Sequence, residues 1–221
     1  MNYQAELDKI LKQIAENHSE SETKPKLLLH ACCGPCSSYV LEYLNQFFDI
    51  TILFYNPNIY PETEYSRRLS ELESFLPKFT KTFENPNIKL IKEENYNPED
   101  FFSAIKIKEN PELAKEREKG ERCYRCYKFR LEKAFEYAKQ KDFDYFCTTL
   151  SISPFKDAEK LNQIGENLEK SHREKNPTDF CPKWLTSDFK KKAGFKRSLE
   201  ISSEYDLYRQ QYCGCVYSMQ N

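Results

Sequence analysis

The chain has 221 residues, of which 39% are apolar and 31% charged, and a formal net charge of -1. These values suit one globular core with appendages and exclude a global polyelectrolyte, so any nucleic-acid contact must be local. No apolar run approaches bilayer length, and the opening residues lack the basic start and apolar core of a signal peptide, so the expected compartment is the cytoplasm.

The first segment carries an amphipathic stripe of Leu7, Ile10, Leu11 and Ile14, expected as an N-terminal helical extension over residues 1–24, ahead of a domain spanning 25–221. Leu27 to His30 reads as a short buried strand. A loop, Ala31 to Cys36, follows it, and a helix capped by Ser37 is expected to run to about Phe48. Ile50 to Tyr55 is a second strand, and Pro61-Glu62-Thr63 opens a long helix reaching about Phe79. A third strand is predicted at Ile88 to Ile91 and a helix after Asn97-Pro98-Glu99-Asp100. A charged segment from Pro111 to Arg122 then leads into a helix over Lys128 to Lys139. Asp144 to Leu150 makes a fourth strand, Lys156 to Lys170 a helix, and the tail is loop-rich with a short helix at Ser198 to Tyr205. Strands alternating with helices imply an α/β fold, a parallel sheet with helices on both faces, in one domain.

Nine cysteines punctuate this pattern as Cys32-Cys33-x-x-Cys36, Cys123-x-x-Cys126 and Cys213-x-Cys215, with Cys147 and Cys181 alone. Disulfides suit small secreted domains, whereas seven thiols in three tight groups of a reduced chain point to metal. Ordinary structural zinc closes one tetrahedron with four ligands, and seven thiols exceed it, which suits an iron–sulfur cluster with something beside it. The first group follows the first strand, where parallel sheets bind ligands, and the next helix directs its positive end at it. Cys147 reads as a small buried hydrophobe, Cys181 as an incidental loop thiol, and His18, His30 and His172 as scattered side chains.

Lys183 to Arg197 contains six basic residues against Asp188 alone, with Trp184, Phe189 and Phe195 interleaved. This is a candidate nucleic-acid phosphate and stacking surface, with Lys190, Lys191, Lys192, Lys196 and Arg197 as the contacts, alongside the plainer reading of a solvated loop. A second basic set, Arg117, Lys119, Arg122, Arg125, Lys128 and Arg130, is diluted by Glu116, Glu118 and Glu121.

Six blocks in order carry a wider resemblance: Leu27 to Ser38, Phe54 to Pro61, Glu121-Arg122-Cys123, Thr148 to Pro154, Ser187 to Lys191, and Tyr208 to Cys215. Together they resemble the cobalamin-independent epoxyqueuosine reductases (QueH type), from about residue 25 to the end. The resemblance implies an adenine-nucleotide-hydrolase-like (HUP/PP-loop-like) sheet with a metal-binding tail. It also implies reduction of the epoxide of epoxyqueuosine, at the wobble position of tRNA, to queuosine. It further implies a 4Fe–4S cluster on Cys32, Cys33, Cys123 and Cys126, and a mononuclear iron for which Cys36, Cys213 and Cys215 are the remaining thiols, fed by an external one-electron donor. The chain departs from that pattern at Phe155-Lys156-Asp157 and carries extra residues from about His172 to Trp184. Two alternatives keep different chemistry: a PP-loop-type tRNA-modifying enzyme, which needs a phosphate loop where Cys32-Cys33-Gly34-Pro35-Cys36 stands, and a zinc-stabilised RNA-binding module without catalysis.

Overall fold

A computed structural model describes residues 1–18, 23–84, 86–92 and 96–219. The tip of the expected N-terminal extension, residues 19–22, lies outside them, as do 85, 93–95 and 220–221 of the expected domain. Strands β1 (Lys26–Ala31), β2 (Asp49–Phe54), β3 (Ile88–Lys92), β4 (Tyr145–Thr148) and β5 (Lys183–Trp184) alternate with helices α1 (Tyr3–His18), α2 (Gly34–Leu44), α3 (Glu62–Thr80), α4 (Pro98–Ile105), α5 (Glu121–Gln140), α6 (Ala158–Lys175) and α7 (Gly194–Glu204). The sheet is wholly parallel, in the order β3-β2-β1-β4-β5.

Strand alternation divides the apolar residues between two cores. Leu27, Leu29, Ile50, Ile52, Phe54 and Cys147 face a core built with α1, α2, α3 and α7. Leu28, Leu53, Phe146 and Trp184 face a second core against α5 and α6. Helices therefore cover both faces, as the alternating pattern predicts. Leu7, Leu11 and Ile14 of α1 are buried in the first core, so this segment packs on the domain. Among the described residues no helix is long and apolar enough to cross a membrane.

The chain order reverses between β1 and β4, and in open parallel sheets that switch point opens a crevice beyond the carboxyl ends of the strands. The fourth strand ends at Thr148 rather than Leu150 and the last helix starts at Gly194 rather than Ser198, and three further differences from the sequence reading bear on this crevice. Helix α2 starts three residues early because Cys33, not Ser37, caps it: the Cys33 thiol accepts from Cys36 N–H at 3.4 Å, and Pro35 fits the first turn. Helix α5 starts at Glu121 rather than Lys128, which moves Cys123 and Cys126 from a loop onto the first two helical turns. The fifth strand has only two residues, too short for a periodic signal, and sits in the stretch read as a basic loop.

Candidate metal centre

The first thiol group is set by the β1-to-α2 turn. Cys32 and Cys33 are buried, their sulfurs lie 3.8 Å apart, and the sulfurs of Cys32, Cys33 and Cys36 all lie within 4.8 Å of one another. The group could hold a metal. Hydrogen bonds from Cys33 and Cys36, with the Arg130 and Arg68 charges, hold the Cys32 thiol well below the usual range, while burial pushes Cys33 up. Gln210 from the tail donates its side-chain N–H to Cys33 Sγ at 3.0 Å.

The second group lies on one face of α5. Cys123, Cys126, Tyr127 and Arg130 stand at i, i+3, i+4 and i+7, and all four are buried. Burial raises the Cys123 thiol and pushes Cys126 up to about 11. Arg130, 3% exposed, donates to Cys126 O at 3.4 Å and Asn56 Oδ1 at 3.4 Å and meets no carboxylate among the described residues.

The third group hangs on a tail with almost no regular structure, so side chains must hold it. Arg68 of α3, fully buried, is anchored by Glu64 at 2.7 Å and donates to the carbonyls of Cys213 at 3.3 Å and Tyr212 at 3.2 Å. Tyr60 N–H donates to Gly214 O at 2.8 Å. Gly214 has φ of +102° and sits so close that a Cβ would approach Ile59 Cγ1 to 2.8 Å, so no larger residue fits there unstrained. Hydrogen bonding from Cys215, then Lys156 and Ser218, hold the Cys213 thiol well below its ordinary value.

The three groups converge. One cavity of about 370 Å³ is lined by Cys32, Cys36, Cys123, Cys126, Cys213 and Cys215, and Cys33 touches it through Cys32. Lys156 reaches the same cavity, with Nζ 3.4 Å from both carboxylate oxygens of Glu118. Four almost fully buried cations, Arg68, Arg122, Arg130 and Lys156, therefore surround or enclose the thiols. Two of them, Arg122 and Arg130, form no ion pair with a carboxylate among the described residues. A buried cation without a counter-ion is costly, so this setting favours thiolates or an anionic group held by them.

Other side chains singled out from sequence take different places. Arg122 is spent internally, donating to the Leu113 and Ala114 carbonyls at 2.5 and 3.1 Å, which removes it from the second basic set. Of the five candidate phosphate contacts, Lys190 pairs with Asp188, Lys192 with Asp8 at 2.6 Å, and Arg197 with Glu42 at 2.6 Å. Lys191 and Lys196 are exposed and form no ion pair among the described residues. Trp184 and Phe189 are buried in the cores and unavailable for stacking, whereas Phe195 lines the thiol cavity beneath the Arg209 guanidinium. Asp157, where the chain departs from the expected motif, caps α6 by accepting from the Glu159 and Lys160 amides at 3.1 and 3.2 Å. Cys147 is a buried core thiol, and Cys181 is buried against α6 rather than lying free in a loop. His30 is also buried, between Thr148 Oγ1 at 2.9 Å and Tyr55 O at 3.1 Å, and burial holds it neutral down to about 4.

A thiol-lined cavity at the switch point of a parallel sheet is the setting in which the comparisons with known proteins gain meaning. The sequence model of the family described as Epoxyqueuosine reductase QueH matches residues 27–221. The chain belongs to the QueH family. Its curated relatives include proteins named Epoxyqueuosine reductase QueH from Streptococcus pyogenes serotype M1, 38% identical over 98% of this chain and 79% of that protein, and from Staphylococcus aureus, 39% identical over 98% and 85%. Another, from Acinetobacter baylyi, is 38% identical over 89% of this chain and 81% of its own length. The first two matches reach into the N-terminal segment that the sequence resemblance leaves out, in keeping with the packing of α1 on the core.

Proposed function

We propose that this QueH chain is a cytoplasmic epoxyqueuosine reductase that acts on tRNA. In this reading Cys32, Cys33, Cys123 and Cys126 hold a 4Fe–4S cluster, and Cys36, Cys213 and Cys215 hold a mononuclear iron. The observation that carries the reading is the convergence of three separated thiol groups on one cavity among buried cations, within a chain of this family. The donor set fits: thiolates are the ligands of iron–sulfur clusters, seven exceed a zinc tetrahedron, and the unpaired Arg130 and Arg122 charges suit a net anionic guest.

The reaction sets what the cavity must do. Removing an epoxide oxygen breaks two C–O bonds and forms a C=C bond and water, consuming two electrons and two protons. When bound, the two metal groups would supply single electrons, replenished by an external one-electron donor, and a Lewis acid for the epoxide oxygen. The protein supplies the rest. Phe101, Leu150 and Ile152 give the cavity apolar walls that limit water, and Arg68, Arg130 and Lys156 hold negative charge inside it. Gly34-Pro35 in the turn and a thiol at Cys36 leave little for a nucleotide phosphate, which disfavours the PP-loop alternative.

For the tRNA backbone, Lys191 and Lys196 are the unpaired candidates, and Lys192 and Arg197 join them by exchanging carboxylate partners, since exposed pairs are worth only about 0–1 kcal/mol, whereas Lys190 is held by the buried Asp188. The test is anaerobic incubation of the iron-loaded protein, a one-electron reductant and tRNA bearing epoxyqueuosine, followed by nucleoside analysis. Conversion to queuosine is expected, and an iron-loaded chain that leaves the epoxide intact refutes the reading.

A further inference from the structure

Resting on the reductase reading, we propose that the Tyr127 hydroxyl and the Asn58 side-chain carbonyl form a polar subsite inside the thiol cavity. There Tyr127 donates to the substrate's reacting oxygen and Asn58 accepts from a neighbouring O–H or N–H of the same nucleoside. Asn58 is 2% exposed and Tyr127 1%, and both line the cavity. Asn58 Oδ1 and Tyr127 Oη are among six buried side-chain oxygen or nitrogen atoms without a hydrogen-bond partner among the described residues. A third, Gln210 Oε1, belongs to the same cavity lining, so half of these atoms gather at one place in the molecule. Buried polar groups are paired in nearly all native structures, so these atoms need a partner from outside the protein, and three of them in one cavity place that partner, water or ligand, there.

The two positions are fixed by the fold. Tyr127 follows Cys126 directly on the inward face of α5 and shares the cavity lining with it. Asn58 stands in the loop between β2 and α3, where Ile59 N–H closes a turn onto Asn56 O at 3.0 Å, and Asn56 in turn is held by Arg130 and by Ala31 O at 2.7 Å. A donor and an acceptor preset in the cavity need little reorganisation when an oxygen-bearing ring enters, which is where such hydrogen bonds favour the transition state most.

The experiment compares wild type with Tyr127→Phe and Asn58→Ala. Metal-free Tyr127→Phe is expected to melt at or above the wild-type temperature, because it deletes a hydroxyl that nothing in the protein pairs. Loaded with iron, it is expected to keep wild-type iron, sulfide and absorbance while kcat on epoxyqueuosine tRNA falls about 10²-fold with little change in KM. Asn58→Ala is expected to raise KM with the metal content unchanged. Wild-type kcat in Tyr127→Phe, or a metal-free protein that melts lower than wild type, would overturn the inference. A shifted absorbance with normal turnover would overturn it too, by assigning the hydroxyl to the metal group. Failure of the wild-type protein itself to convert the substrate would instead strike the reductase reading.

Discussion

Arg68→Met tests how the tail thiols are held. The guanidinium is fully buried and contacts Glu64, Cys213 O and Tyr212 O at 2.7, 3.3 and 3.2 Å. Its removal leaves the Glu64 carboxylate, 9% exposed, with the Tyr208 hydroxyl at 3.1 and 3.3 Å as the other hydrogen-bond donor to its side chain. It also frees two backbone carbonyls of the loop that carries Cys213. Losing one partner of a buried pair costs about 3–5 kcal/mol, and at this chain length each kcal/mol moves Tm by about 2–4 °C. The metal-free variant is therefore expected to melt roughly 6–20 °C below wild type, with Arg68→Lys between the two. Calorimetry of the metal-free proteins is the assay, joined by the rate at which a thiol reagent labels Cys213 and Cys215. Labelling should quicken at those two positions while Cys147, fully buried in the core under α2 and α7, stays protected. An Arg68→Met protein melting within about 2 °C of wild type, with unchanged labelling, would refute the clamp.

Three further outcomes are expected. Cys123→Ser should abolish the visible absorbance and turnover together, since a hydroxyl replaces thiolate poorly on iron; a full-yield chromophore in that variant would remove Cys123 from the ligands. Cys215→Ala should lose about one iron per chain and most turnover while acid-labile sulfide persists, and unchanged iron with normal activity would sever the tail from the second metal. Changing Lys191 and Lys196 to Ala should weaken binding of the anticodon stem-loop and flatten its salt dependence by about 0.7–0.9 logarithmic units per lost contact. An unchanged slope would place the backbone contact elsewhere.

The sheet, its two covered faces and the position of the first thiol group after β1 were legible because strand and helix periodicities are local signals. The start of α5 was not, because its first turns carry Glu121, Arg122, Arg125 and two cysteines, which mask an apolar stripe. Read as a helix from Glu121, the spacing of Cys123, Cys126, Tyr127 and Arg130 would have shown one inward face holding two thiols, a hydroxyl and a cation. Arg68 gave no signal at all, and Asn58 stood out only as one member of the Phe54 to Pro61 block. An arginine in a polar helix and an asparagine in a turn are ordinary in sequence, and their roles arise only when the tail folds back over α3 and the β2-to-α3 loop. Likewise the basic run looked free because its partners, Asp8 and Glu42, lie far away in the chain. The resemblance identified the family, whereas the buried cations and orphan polar atoms emerge from packing.

The central claim, an iron–sulfur cluster with a second iron held by three converging thiol groups, is tested most directly by counting metals in the anaerobically purified chain beside its visible spectrum. The account expects a brown protein with about five iron and four acid-labile sulfide per chain. A colourless protein carrying one zinc and no sulfide would contradict it.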